Sequence, residues 1–175
     1  LLPALDKLIE ITDKKANSLK GLVKTGRTHL MDAMPLDFHQ EISAWTSQLK
    51  NSKKTFLFLE KRMLEMPLGG TAVGTGINAH PRFPKLFAKE LNKLSGGRWK
   101  NVPSENFFHE LSAQDTAVQV SGELKNLAII LLKISNDLRW MNSGPLAGLS
   151  EIELQALQPG SSIMPGKVNP VIPEA

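Results

Sequence analysis

The sequence predicts an all-α fold, a bundle of long helices, and three features of its 175 residues carry that expectation. Apolar residues recur at alternating steps of three and four at positions 38, 42, 45, 49, 52, 56, 59 and 63, with Ser52 the one exception. The same alternation returns at Ala117, Val120, Leu124, Leu127, Leu131, Ile134, Leu138 and Met141. Between and around these seams the chain is punctuated by glycine and proline. A mean spacing of 3.5 residues is that of helices packed nearly lengthwise against one another.

Taken in order, Leu1, Leu5, Leu8, Thr12, Leu19 and Leu22 fall mostly at helical spacing, with Pro3 tolerated near a helix start, so a helix is expected over 1–23, ending near Gly21. Residues 24–35 hold no sustained period and run into a proline, which reads as a loop. Asp37 is placed to cap the next helix, with Gln40 three residues on completing a capping box. A glycine-rich break at 67–78 precedes a short helix over Phe83–Leu94, stopped by Ser95-Gly-Gly97. Ser104 is the expected cap of the longest helix, which closes at Asn142-Ser-Gly144-Pro145 after roughly thirty residues or more. At 1.5 Å per residue such a rod is on the order of 50 Å long, against a radius of gyration of about 16 Å for a compact chain of this size. Its apolar faces are therefore expected to be buried against helices of other subunits. Residues 145–173, rich in proline and glycine at irregular intervals, read as loop.

Apolar and charged fractions of 41% and 22% are those of an ordinary folded chain, so disorder is not expected. The net charge of +4 is spread through amphipathic segments, which argues against nucleic acid while suiting a small anionic substrate. Without cysteine there is no disulfide and no thiolate metal site. The four histidines show no shared ligand spacing, so no metal and no cofactor is expected. No apolar run of about 18 residues exists to span a membrane. Since the sequence opens on Leu rather than Met, it reads as a piece of something longer.

Two segments can carry chemistry. Gly160-Ser-Ser-Ile-Met-Pro-Gly-Lys-Val-Asn-Pro170 sets two hydroxyls, an ammonium and an amide in a loop whose exposed backbone N–H groups can surround an anion. Taken alone, such a loop is more often a solvated linker. Gly26-Arg-Thr-His-Leu-Met-Asp-Ala33 offers a histidine able to exchange protons near neutral pH, although a lone histidine is more often a hydrogen-bonding surface residue. Gly69-Gly-Thr-Ala-Val-Gly-Thr-Gly-Ile-Asn78 imitates nucleotide-binding loops but lacks the lysine of one and the preceding strand of the other.

The first two segments resemble the active-site motifs of the fumarase/aspartase lyase superfamily, and the likeness runs through Ile134-Ser-Asn-Asp-Leu-Arg-Trp140 and Ser143-Gly-Pro145 over nearly the whole chain. The third resembles that superfamily's glycine-rich turn between core helices, near the site. Thr28-His29 and Gly166 both follow the metal-independent fumarases; aspartases have Thr-Gln and alanine at these places. By this resemblance residues 1–175 form part of the central helical-bundle domain, and Ser161 is the catalytic base on a mobile loop. His29 pairs with Glu174, and Thr28, Ser162, Lys167, Val168 and Asn169 bind a small dicarboxylate. The resemblance further implies the malate–fumarate reaction of the tricarboxylic acid cycle, a homotetramer with sites shared between subunits, and a cytoplasmic location, or mitochondrial in a eukaryote. A Ser-Ser-Asn-Asp-like substrate-binding segment of the superfamily is missing, so these 175 residues alone are expected to be inactive. The alternatives are another lyase of the superfamily, acting on aspartate, argininosuccinate or adenylosuccinate, and a helical assembly module that lacks the reaction. His39, His80 and His109 match no motif and read as structural.

Overall fold

A computed structural model describes all residues, 1–175, as six α-helices and four short strands. The chain divides into two compact units, one of Leu1–Asn51 with Lys125–Ala175, the other of Ser52–Leu124. Two helices, α2 (Phe38–Met63) and α5 (Asp115–Met141), contribute residues to both.

In the first unit, α1 (Leu2–Ser18) starts on Pro3 in its first turn, as the sequence predicts. Residues 24–35 are not a loop. They belong to an antiparallel hairpin, β1 (Val23–Thr28) and β2 (Met31–Asp37), joined by the two-residue turn His29-Leu30. Period-two patterning fails to show it because neither strand has a buried face. Gly26 is its one buried residue, and the register shifts between Thr25 and Arg27. A Cβ on Gly26 would stand 2.5 Å from the Met34 carbonyl oxygen, so the bulge requires glycine.

Asp37 closes the hairpin and opens α2. Its N–H donates to Gln40 Oε1 at 2.9 Å, and its carboxylate accepts from the His39 and Gly21 N–H groups, which makes the expected capping box. Ala16, Ile42, Trp45 and Met141 form the buried centre of this unit, with Leu19, Phe38, Ile134, Leu138 and Ile152 packed around them. The Trp45 indole N–H donates to Asp137 at 3.1 Å, which satisfies the polar edge of a buried ring.

The second unit holds the C-terminal part of α2, where Phe56 and Leu59 are buried and the Ser52 hydroxyl donates to the buried Glu123 carboxylate at 2.6 Å. Thus the polar exception in the α2 seam is a hydrogen-bonded position. The glycine-rich turn leads to α3 (Phe83–Leu94), and a short parallel pair joins β3 (Glu65–Met66) to β4 (Val102–Pro103). The single long helix expected from Ser104 is two helices. Asn106, not Ser104, caps α4 (Phe107–Ser112), and the backbone turns extended at Ala113 before the 27-residue α5 begins. The break has a tertiary cause: Phe107 and Phe108 pack against the glycine-rich turn, so close that a Cβ on Gly70 or Gly74 would clash with them. Along α5 the buried line is Glu123, Leu127, Ile130 and Met141, whereas Val118, Leu124, Ile129, Leu131 and Leu132 stand exposed. The C-terminal stretch is loop as expected, apart from a single turn, α6 (Val171–Glu174).

What ties the hairpin to the first unit is charge. Lys24 Nζ lies 2.6 Å from Glu41 and 2.8 Å from Glu151, and Arg27 Nη1 lies 2.5 Å from the other Glu151 oxygen. The side chains of Lys24 and Glu151 are only 7% and 10% exposed, so these pairs are shielded from solvent. Burial alone would raise the Glu151 carboxyl, but hydrogen bonds from Lys24 and Arg27 outweigh it and hold the group below its ordinary 4.5. Burial likewise pulls Lys24 down, and its bonds to Glu151 and Glu41 prevail to raise it above 10.5.

Two consequences can be measured. Gly74 has φ +105°, and a Cβ there would lie 2.9 Å from the Phe108 nitrogen, so Gly74→Ala should destabilise the protein by about 2–3 kcal/mol in urea denaturation. A carboxylate whose pKa is lowered by folding contributes stability above its unfolded value and loses it as pH falls through the folded one. Stability should therefore drop below about pH 4.5, and Glu151→Gln should flatten that acid limb. At neutral pH the same variant should cost toward the lower end of the ~3–5 kcal/mol typical of breaking a buried pair, because Glu41 remains beside Lys24.

Candidate functional site

The residues singled out by sequence stand on two separate supports within the first unit. Thr28 pairs with Met31, and His29 and Leu30 between them have φ of 52° and 62°, the two left-handed residues of a type I′ turn. That conformation suits the twist of a hairpin but is disfavoured for residues with a Cβ, Leu above all. It sets the His29 imidazole at the tip, exposed and without a hydrogen bond to any other side chain. His29 is therefore open to whatever approaches the turn.

The second support is the loop over 160–170, and its neck is tightly determined. Pro159 bridges Val168, the Gly160 N–H donates to the Lys167 carbonyl at 2.8 Å, and the Lys167 N–H donates to the Met164 carbonyl at 2.9 Å. A Cβ on Gly160 would meet the Asn169 side-chain oxygen at 2.7 Å and the Lys167 carbonyl at 2.8 Å, so only glycine lets Asn169 fold across the neck. Ser161 is half-buried there, its hydroxyl accepting from the Ile163 N–H at 3.2 Å. Ser162, Lys167 and Val168 are exposed, and Asn169 is half-buried. The neck thus carries Ser161, Lys167 and Asn169, a hydroxyl, an ammonium and an amide, on one short hairpin-like loop. Glu174, on the single turn of α6, is exposed. With Val168 it lines an open cleft of about 350 Å³ that also takes in Arg139, Asn142 and Ser143.

These two supports do not meet through their functional groups. No hydrogen bond or ion pair joins His29 to Glu174, and Arg27 and Leu30 of the hairpin line a different cleft, of about 560 Å³, with Trp140, Leu149 and Glu151. The remaining histidines do local work or none: His80 Nδ1 accepts from the Arg82 N–H, and His109 pairs with Asp115 at 3.0 Å. His39 Nδ1 is buried without a partner. No three His, Asp or Glu side chains gather as a metal-holding group.

Sequence reading missed Lys24, Arg27, Glu41 and Glu151, the groups beneath the hairpin. No period links residues 24, 41 and 151, and the one available signal was Arg27, inside the motif and directly before Thr28.

Across residues 1–175 the chain matches the lyase family. It is 57% identical to "Fumarate hydratase class II 2" of Pseudomonas aeruginosa, over all of this chain and 38% of that protein. With fumarate hydratase class II of Bacillus subtilis it shares 50% identity, over all of this chain and 37% of the relative. Among solved structures, a class II fumarase from Schistosoma mansoni superposes with a TM-score of 0.92 at 36% identity, covering 99% of this chain and 39% of that one. A fumarate lyase:delta crystallin from Brucella melitensis, bound to cobalt, gives 0.90 at 41% identity, over 98% of this chain and 37% of that one. The chain spans well under half the length of these relatives. With the family matched end to end and relatives 57% and 50% identical over the whole of this chain, the chain belongs to the lyase family, in the fumarase/aspartase superfamily.

Proposed function

We propose that these 175 residues are part of the central helical domain of a class II fumarate hydratase, which interconverts L-malate with fumarate and water. The observation that supports this reading most is the 160–170 neck, a glycine-dependent turn that carries Ser161, Lys167 and Asn169 on one short loop. The two fumarase-like choices, His29 and Gly166, and the names of the relatives at 47–57% identity support it.

In the malate-to-fumarate direction, Ser161 as an alkoxide removes the C3 proton beside a carboxylate, and the electron pair spreads into that carboxylate as an aci-form. Lys167, Asn169 and the loop N–H groups bind this more highly charged species more strongly than the substrate, which lowers the barrier. The C2–O bond then breaks with protonation of the departing hydroxide, giving water and fumarate. His29, backed by Glu174, handles that proton, and Thr28, Ser162 and Val168 help to hold the dicarboxylate.

In this reading His29 of one chain and Ser161 of another share a site in a homotetramer, consistent with the lack of any His29–Glu174 bond within one chain. The exposed Leu124, Ile129, Leu131 and Leu132 of α5 supply apolar surface for that assembly. The enzyme would serve the tricarboxylic acid cycle in the cytoplasm, or in mitochondria of a eukaryote. Within this chain, no helix is long and apolar enough to cross a membrane.

The full-length protein should convert malate to fumarate, followed by fumarate absorbance, and should sediment as a tetramer. Ammonia release from aspartate without malate dehydration would instead place it with the aspartases. Ser161→Ala and His29→Asn should each lower kcat by about 100-fold or more with the tetramer intact. After subunit exchange, a mixture of the two should regain activity, because hybrid tetramers contain sites with both residues unmutated. No recovery would mean that the two residues act from one chain.

A further inference from the structure

We infer that Glu151 is a positioning residue for the Thr28-His29 turn, a role that rests on the fumarate hydratase reading. The turn sits on a hairpin held by remarkably little packing: in β1 and β2 only Gly26 is buried, with Met31 71% and Met34 79% exposed. A two-stranded hairpin is marginal on its own, so its direction depends on what anchors it.

At the base, near Asp37, backbone bonds hold it, the Phe38 N–H to the Leu22 carbonyl and the Gly21 N–H to the Asp37 carboxylate. Toward the tip, beside the open cleft of about 560 Å³, the contact is ionic: Arg27, the residue before Thr28, reaches Glu151 at 2.5 Å. Period-two geometry would send residues 24 and 27 to opposite faces of a regular strand, but the ladder is irregular between them, with the single residue Gly26 of β1 opposite Ala33 and Met34 of β2. Across this irregularity Lys24 and Arg27 converge on one carboxylate.

Glu151 is itself fixed from the other side. Its N–H and that of Ile152 donate to the Met141 carbonyl, closing α5, and the Ser150 N–H donates to the Ser143 carbonyl at 2.7 Å. The same residue begins the approach to the 160–170 loop, where the Leu154 N–H donates to the Asn142 side chain at 2.7 Å. One carboxylate thus links the His29 hairpin to the end of α5 from which the other motif loop departs. A displacement of about 1 Å at a reacting group is enough to cost on the order of 100-fold in rate.

The test uses the full-length protein as wild type, Glu151→Gln, His29→Asn and the double variant. Glu151→Gln should lower kcat by about 10- to 100-fold with a smaller change in KM, and adding it to His29→Asn should cost less than about 3-fold further, since the group it positions is already gone. Equal fold-losses in both backgrounds, or wild-type kcat in Glu151→Gln, would overturn the inference. A readout independent of catalysis is hydrogen exchange of the backbone amides in 23–37, which should quicken at least about 10-fold in Glu151→Gln while the buried helix amides around Trp45 keep their protection. Unchanged hairpin protection overturns the inference even if the wild type is active; an inactive wild type with quickened hairpin exchange overturns the fumarase reading alone. Should Glu151→Gln fail to fold, Arg27→Gln, which leaves Lys24 paired with Glu151, is put through the same comparisons with the same deciding outcomes.

Discussion

Three ionic contacts converge on Glu151 and Lys24, and the geometry of the first unit follows from satisfying them together. Lys24 and Arg27, three residues apart on β1, would face opposite sides of a regular ladder; they share Glu151 across an irregularity in which β2 carries the extra residue, and it closes up because Gly26 has no Cβ to strike the Met34 carbonyl. Lys24 is further held over the Phe38 ring at 5.1 Å, which ties the cluster to the first turn of α2. Glu151 meets it only because the backbone folds back on the C-terminus of α5. Charges this shielded add little net stability when all partners are present but penalise their removal heavily, so the cluster specifies an arrangement more than it stabilises the fold.

The helices supply stability and also surface. In α2 the predicted seam is the buried one from Ile42 to Leu59; of its ends, Phe38 is half-buried and Met63 is exposed. In α5 the predicted seam is only partly covered, because Leu127 and Met141 are buried while Leu124 and Leu131 are about half exposed. Apolar side chains occur on more than one side of this helix, so the chain has more hydrophobic face than it buries by itself. Such faces mark contact surfaces on soluble proteins.

Much of this was legible beforehand, for local reasons. The capping box at Asp37 and Gln40, the stop at Ser95-Gly-Gly97 and the α2 seam are each written in a few neighbouring residues. What escaped was set by distant contacts. The hairpin lacks a buried face, so the period that would announce it is absent. The break at Ala113 interrupts residues with no helix-breaking tendency of their own, and comes from Phe107 and Phe108 seated on a turn some thirty residues earlier in the chain. Of the site, Ser161, His29 and their neighbours were visible as motifs. Glu151 was not, since its meaning depends on a strand register that no local pattern encodes.

The bulge has a consequence for how this segment can vary in length. Surface hairpins ordinarily absorb insertions and deletions, because nothing beyond their own ladder counts the residues. Here the count matters. Lys24 and Arg27 reach Glu151 at a spacing of three residues, across the irregularity where Gly26 stands opposite Ala33 and Met34, and losing one residue there would shift everything toward the tip by one position relative to Lys24. An added residue between Lys24 and Arg27 would likewise shift the tip by one position relative to Lys24. Although it lies on the surface and packs against almost nothing, the stretch from Lys24 to Arg27 should therefore align without gaps among proteins that keep all three charges.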